Sequence, residues 1–537
     1  MRIIIFAVIL INSLGCQSTS PISSNVSEKQ FTPKHSEIKR LRISYLKSKD
    51  FITNHKRLID LEKQALSLAE DEPLKLGSLG TAILDTYYGS LTGHYALTQF
   101  YKYVGSSETN LHSGWLRAIE SYIAKKAAGS EGKPIPAISP NEAFAYIVTN
   151  NATPVGSIYQ TSKKRPLTLL VQAREQDGRI NTLHFDLSES YKAMENAFPG
   201  SQDQYFPSSF LQGLATQGDS AAQAAIGAYL VSQQSFGQAI NWLQAASGKG
   251  NLVANSFLAG IFWEQAQAAN DPNAKKTSMR LLEENYQHAI ALGSSHAMTE
   301  LGILYVRGEY GENKIAEGRN LLTEASKNGN PLSIYVLARM HDQFSKTKED
   351  QKIAISLYKK AADLGHPDAK LAYANHTISN KIADQKTVTW LEELSSNKNP
   401  RAMLLLGYCY AHGLGVDLNF KKTFQWFRRS VDQDPLDAHI VNEVVWSLTA
   451  TKLKTNRRVK YGIRAMSRLM EKNNAARQEP AYLDTWAAAH AANGNYTEAV
   501  AIQEKAIDLA NNENLLEILT EHLNIFKNGG VILEEIR

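Results

Sequence analysis

Residues 402–430 read AMLLLGYCYAHGLGVDLNFKKTFQWFRRS. The stretch holds a cysteine and a histidine three residues apart, a Gly-x-Gly, paired lysines and a Trp-Phe, and each invites a chemical reading. A metal site needs further ligands, and a phosphate-binding loop needs a strand before it and Lys-Ser/Thr after it. Neither is present. What the stretch does have is relatives elsewhere in the chain.

Ala222, Ala254, Ala297, Ser333, Ala369, Ala402 and Ala438 form one column, at intervals of 32, 43, 36, 36, 33 and 36 residues. Four residues earlier stand Gly218, Gly250, Gly293, Gly329 and Gly365, replaced by Lys398 and Asp434 in the last two copies. Eight residues before that position lie Trp242, Leu321, Leu357, Trp390 and Trp426, with Asn285 the exception. One residue further on come Leu243, Tyr286, Leu322, Tyr358, Leu391 and Phe427.

Self-similarity at such a period marks a stacked array of small units. Each unit predicts two helices. Glycine takes the left-handed C-cap conformation and proline, where present, starts the next helix. The small residues let helices approach closely, and the aromatics fill the space between neighbouring pairs. The 43-residue interval predicts an extra polar loop, AQAANDPNAKKTS at 266–278.

The pattern resembles the Sel-one-like repeat (SLR), a relative of the tetratricopeptide repeat (TPR). The fullest match is Ala402, Leu406-Gly407-Tyr408, Gly413-Leu414-Gly415-Val416-Asp417, Trp426-Phe427 and Ser430. The resemblance implies that the Gly-x-Gly-Val segment is the loop between two helices, with Cys409 packed inside the first. YLDTWAAAHAANGNYTEAVAIQEKAIDLA (482–510) is similar to a TPR at Leu483, Trp486, Ala487, His490, Gly494, Tyr496, Ala499 and Ala506, without the later proline of that pattern. NLLEILTEHLNIFKNG (514–529) then reads as a capping helix. The expected fold is mainly α, a right-handed α-solenoid of SLR/TPR-type helical hairpins over about 210–528. The packing residues are Ala254, Ala297, Ala369, Ala402, Gly293, Gly329, Gly365, Trp242, Trp390 and Trp426.

The other end of the chain reads differently. MRIIIFAVILINSLGC (1–16) has one arginine and an apolar run from Ile3 to Ile11, too short to cross a bilayer, and predicts a secretory signal. Its end resembles the lipobox of bacterial lipoproteins, fitting at Gly15 and Cys16 and departing at Ser13, where leucine is usual. The resemblance implies acylation of Cys16 and, with Gln17 next, anchoring in the outer membrane of a Gram-negative cell with the body facing the periplasm; inner-membrane anchoring and plain secretion are the alternatives. QSTSPISSNVSE (17–28) then reads as a polar tether with a reach on the order of 20 Å. Cys409 is the only other cysteine, so lipidation of Cys16 leaves it without a disulfide partner.

Between the ends, residues 33–130 are helical by pattern. TAILDTYYGSLTGHYALTQFYKYVG (81–105) carries tyrosines at helical spacing and a Gly89-x-x-x-Gly93 that predicts close helix contact. PVGSIYQ (154–160), PLTLLVQAR (166–174) and RINTLHFDL (179–187) predict three strands, the last two joined through Asp177-Gly178. The expected organisation is a signal (1–15), a tether (16–32), a helical domain (33–130), a small α+β unit with three antiparallel strands (131–205), an SLR solenoid (206–475), and a TPR-like unit with a capping helix (476–537).

Chemistry is sparse. His184 and Asp186 fall on one face of the third strand by alternation, but no nucleophile or third ligand accompanies them. No catalytic residue, cofactor or metal is expected. The net charge of +5 over 537 residues argues for neither a nucleic acid nor a membrane surface, and no nucleic-acid partner is expected. KLKTNRRVKYGIRAMSRLMEK (452–472) places Arg457, Arg464 and Arg468 near one stripe with Tyr461. That stripe reads as a solvated face or as a contact for an anionic partner: acidic protein, lipid phosphates or peptidoglycan carboxylates. By resemblance, the expected function is a membrane-anchored periplasmic adaptor that binds other proteins through its solenoid and serves assembly of envelope complexes. The alternatives are a peptidoglycan- or polysaccharide-binding lipoprotein and an enzyme in the 131–205 unit.

Overall fold

The computed structural model describes residues 32–125, 127–197, 206–344, 347–452 and 457–536. The signal, Cys16 and nearly all of the tether lie outside the described residues. The chain divides into two compact units, one of residues to Pro154 with Tyr159–Val171 and Thr182–Phe210, the other of Val155–Ile158, Gln172–Asn181 and Leu211–Arg537.

The first unit is built on helices His35–Leu46, Phe51–Leu68, Leu76–Thr86, Leu91–Val104, Thr109–Ala124, Pro140–Thr149 and Ser188–Ala197. Tyr45, Phe51, Leu58, Leu76, Ile83, Tyr87 and Ile138 form its core. The close helix contact is real, but its glycines differ from the expected pair. Gly89 lies in a turn, and it is Gly80 that faces Gly93: a Cβ on Gly80 would stand 3.2 Å from the Gly93 carbonyl oxygen. Two carboxylates are buried here. Glu142 pairs with Arg42 at 2.8 Å, while Glu62 accepts from Ser90 Oγ (2.8 Å) and Ser139 Oγ (2.5 Å). Both serines also cap helices, accepting from the backbone N–H of Gly93 and Glu142.

Among the described residues the sheet has four strands, not three. β1 (Ile135–Pro136), β2 (Thr153–Gln160), β3 (Thr168–Arg174) and β4 (Ile180–Asp186) run in the order β1-β4-β3-β2. β1 pairs parallel to β4, with Ile135 opposite Phe185. It was invisible to alternation because it is two residues long and ends in proline, which lacks a donor and is confined to edges. β3 alternates as expected, burying Leu169, Val171 and Ala173.

The second unit is the array. Hairpins follow one another as Ser220–Ser232 with Phe236–Ser247, Leu252–Ala268 with Pro272–Ala291, Ser295–Val306 with Ile315–Lys327, and Pro331–Phe344 with Lys348–Asp363. Then come Pro367–Ser379 with Gln385–Ser396, Pro400–His412 with Phe420–Gln433, Ala438–Thr449 with Val459–Lys472, and Pro480–Ala492 with Tyr496–Asp508, before a last helix, Glu513–Lys527. The long interval is not a loop, as its polar composition suggested. Its extra residues lengthen both helices to 17 and 20 residues, and Asp271 caps the second at Pro272. Asp-Pro is a strong start signal, and the NAKK after it suits a helix.

One turn recurs. Gly218, Gly250, Gly293, Gly329 and Gly365 all have φ between +74° and +92°, and Lys398 adopts +62° in the same column. The next residue caps the following helix. Asp219, Ser294, Asn330, His366 and Asn399 each accept the backbone N–H of the column residue, Ala222, Ala297, Ser333, Ala369 and Ala402 respectively. Asp434 departs: its φ is −140°, and the cap moves to Asp437. Pro435 follows Asp434 directly and favours the extended backbone there.

Five residues beyond the column position another small residue lets the second helix close in. A Cβ on Gly227, Gly302 or Gly407 would collide with Leu243, Leu322 or Phe427, all three of which are fully buried. Those residues, not the tryptophans beside them, are the centre of each hairpin: Trp390 is buried, but Trp242 and Trp426 are only half-buried. The column alanines Ala254, Ala297, Ala369 and Ala402 are all buried.

Candidate protein-interaction groove

The opening stretch becomes helix Pro400–His412, a left-handed turn at Gly413 (φ +67°) and Gly415 (φ +65°), and helix Phe420–Gln433. Cys409 is fully buried in the first helix, and burial pushes its thiol up to about 12, so it is neither a nucleophile nor a ligand at neutral pH. Among the described residues no group of three or more His, Cys, Asp or Glu side chains could hold a metal ion.

His184 and Asp186 do not form a pair. Asp186 Oδ1 accepts from the Ser188 N–H, its Oδ2 lies 3.6 Å from Arg165 Nε, and the His184 backbone N–H donates to the Gly129 carbonyl. Asp186 thus serves the start of helix Ser188–Ala197.

The basic stripe gives more. Helices Phe420–Gln433 and Val459–Lys472, the second helices of consecutive hairpins, flank an open groove of about 540 Å³. Phe424, Val431, Tyr461 and Ala465 supply apolar lining, and Arg428, Arg464 and Arg468 supply charge. Phe424 meets the Tyr461 ring edge-on at 5.4 Å. Arg428 Nε holds Asp432 at 3.2 Å, the one acidic side chain in the lining. Arg464 and Arg468 are exposed one helical turn apart. The Tyr461 hydroxyl is buried without a hydrogen-bond partner, and its pKa is pushed up to about 12 by burial and by Asp432, against the opposing pull of Arg428 and Arg464.

Of the three arginines read from the sequence, Arg464 and Arg468 therefore share a surface. Arg457 does not line it, and its Nε donates to the Thr451 carbonyl at 2.9 Å. Arg428 was missed. It lies one repeat earlier in the chain, and only the stacking of hairpins brings it alongside.

The terminal unit is closed by polar contacts. Asp484, on the TPR-like hairpin, accepts from Gln503 (2.8 Å) and meets His522 Nδ1 of the last helix at 2.8 Å. Burial works against a charge on His522, yet Asp484 holds its pKa above the usual histidine value. Beyond that helix the chain returns: the Glu534 N–H donates to the Ala450 carbonyl at 2.6 Å, and Trp446 Nε1 donates to the Glu534 carboxylate at 3.0 Å.

Comparison with known proteins agrees with the geometry. The sequence model of the Sel1 repeat matches residues 220–251, 295–330, 331–366 and 400–435, the first, third, fourth and sixth hairpins with their closing turns. Among solved structures, a Sel1 repeat protein from Oxalobacter formigenes is similar at 17% identity and a TM-score of 0.38, over 58% of this chain and 89% of its own. The c5321 protective antigen of uropathogenic Escherichia coli, which displays an SLR fold, is similar at 13% and 0.35 over 93% and 95%. A tetratricopeptide repeat protein from Parabacteroides merdae is similar at 14% and 0.30 over 51% and 99%. No curated protein matches the chain. Repeats of this kind mediate protein–protein interaction, and scaffolds built from them are generally non-catalytic. The chain thus carries Sel1 repeats in those four segments, and hairpins of the same build continue the array between and after them.

Proposed function

We propose that this protein is a membrane-anchored scaffold of the bacterial envelope, which holds a protein partner on its repeat array in the periplasm. The observation that carries the scaffold reading is the uninterrupted series of eight hairpins among the described residues, most of them joined by the same capped turn. Such an array offers a long surface whose side chains vary while its frame repeats. The anchor rests on the sequence at Gly15-Cys16. The means of attachment this reading supplies is a lipid on Cys16.

Two experiments test the two halves. Labelling cells with a clickable palmitate analogue is expected to mark the native chain and not Cys16→Ser, with the variant leaving the membrane fraction. A native chain that takes no label overturns the anchor. Cross-linking in intact envelopes is expected to capture the same protein partner reproducibly, and to lose it when the 220–510 array is deleted. Absence of any reproducible cross-link overturns the scaffold.

A further inference from the structure

We infer that the groove between helices Phe420–Gln433 and Val459–Lys472 is a docking site for an acidic, extended segment of a partner protein in which carboxylates flank an aromatic or large aliphatic side chain. The inference rests on the scaffold reading and names the chemistry of the partner at one place.

Three observations specify the occupant. The first is charge: the two helices carry eight lysines and arginines against only Asp432 and Glu471, and Arg428 already occupies Asp432. Arg464 and Arg468 make no ion pair among the described residues, and a guanidinium takes a carboxylate through two parallel hydrogen bonds. The second is spacing. Side chains four apart on a helix begin about 5–6 Å from each other, and alternate residues of an extended strand repeat at about 7 Å. Two carboxylates separated by one residue therefore reach Arg464 and Arg468 together. The third is the lining. Phe424, Val431, Tyr461 and Ala465 give an apolar bed beside the arginines, which suits a large apolar side chain between the carboxylates. A polyphosphate or a sulfated glycan would satisfy the arginines and leave that bed unmatched, so a peptide is favoured.

The test is a fluorescence anisotropy titration of the full-length chain, in mild detergent, with a labelled peptide Gly-Ser-Glu-Phe-Glu-Leu-Glu-Ser-Gly. Saturable binding is expected, weakened at least about tenfold in the double variant Arg464→Glu/Arg468→Glu and also weakened by added salt. Replacing the peptide's Phe and Leu by Ser should weaken it as well, and Tyr461→Phe, which keeps the ring in the lining, should change it little. Both arginines are exposed, so the double variant is expected to keep the wild-type circular dichroism and melting temperature. Equal binding to wild type and double variant overturns the inference, as does equal binding of a peptide with Lys for Glu. Arginine-dependent binding of phosphatidylglycerol vesicles without peptide binding overturns it in favour of a lipid contact. Capture of the same cross-linked partners by wild type and double variant removes the groove from the account and leaves the scaffold reading standing.

Discussion

The side-chain amide of Asn251 pairs with both backbone groups of Ser157: its Nδ2 donates to the Ser157 carbonyl at 2.8 Å, and its Oδ1 accepts the Ser157 N–H at 3.1 Å. β2 is the outer strand of the sheet, so one amide side chain does here what a neighbouring strand would otherwise do. The same Oδ1 accepts from Val253 N and starts helix Leu252–Ala268, while Nδ2 also reaches the Ser220 carbonyl at 3.2 Å. Asn251→Ala should cost about 2–3 kcal/mol, the sum of a lost cap and a buried backbone pair left unsatisfied. Asn251→Asp should cost at least as much, because a carboxylate keeps the cap but sets a buried charged oxygen against the Ser157 and Ser220 carbonyls, to which it cannot donate. Hydrogen exchange at the Ser157 amide separates the two variants: it should accelerate in Asn251→Ala and stay slow in Asn251→Asp.

The recurring turn makes a second, opposite pair of predictions. Gly365 has φ +92° and open space where a Cβ would go, so Gly365→Ala tests backbone conformation alone. The left-handed region costs an L-residue about 1–2 kcal/mol, and destabilisation of that size is expected. Lys398 sits in the same column at φ +62°, and Lys398→Gly should stabilise by up to about 1 kcal/mol after the added freedom of the unfolded chain is counted. Urea unfolding midpoints decide the matter. Shifts of the same sign in both variants would contradict a shared left-handed requirement.

Gly407 and Phe427 show how a hairpin closes. A methyl at Gly407 would enter the Phe427 ring, and Phe427 is fully buried. Gly407→Ala is expected to cost about 1–3 kcal/mol through overpacking, and Phe427→Leu in the same chain should recover part of it. A double-mutant cycle reads the coupling directly, and additive effects would show that the two residues do not meet.

How much of the molecule was legible in the sequence depends on which features recur. The columns through Ala222, Gly293 and Leu243 repeat, so the array could be read without a structure. The capping column through Asp219, Asn251, Ser294, Asn330, His366 and Asn399 recurs as clearly, but four residue types share its task, and identity alone hides it. Composition misled at 266–278, where polar residues form exposed helix. The groove was half legible: Arg464 and Arg468 share a helix with Tyr461, but Arg428 joins them only across the stack. Glu62 was not legible at all. A glutamate within FITNHKRLIDLEKQALSL reads as solvent-facing, and the Ser139-x-x-Glu142 start signal that helps to enclose it lies 77 residues away.

Glu62 gives the first unit a pH dependence whose sign differs from that of its histidines. Burial raises the Glu62 pKa to about 7, against the opposing hydrogen bonds from Ser139 and Ser90. A raised carboxyl holds its proton more firmly folded than unfolded. Its contribution to stability is therefore full below about pH 4.5 and is lost as pH rises through 7, by on the order of 3 kcal/mol. His55 and His94 act the other way. Burial lowers His55 to about 4; burial and the neighbouring His112 lower His94 to about 3. His94 Nε2 lies 3.0 Å from the Tyr88 carbonyl, which can only accept. His94 Nδ1 then carries the lone pair and accepts a hydrogen bond from His112 Nδ1–H, 3.0 Å away, with Trp115 stacked on the ring at 5.0 Å. Their stabilising contribution is present above about pH 6.5 and is lost as pH falls toward 4 and 3. Two histidines outweigh one glutamate in the acid range, so the wild-type unit should weaken from pH 6.5 to 4.5. Glu62→Gln removes the opposing slope. The variant should lose stability more steeply in that range, and its stability relative to wild type should be about 3 kcal/mol better at pH 8 than at pH 4.5. Hydrogen exchange along helix Phe51–Leu68, corrected for intrinsic rates across pH, measures both curves. Parallel curves would mean that Glu62 is ionised throughout, and that its two serines hold a carboxylate rather than a carboxylic acid.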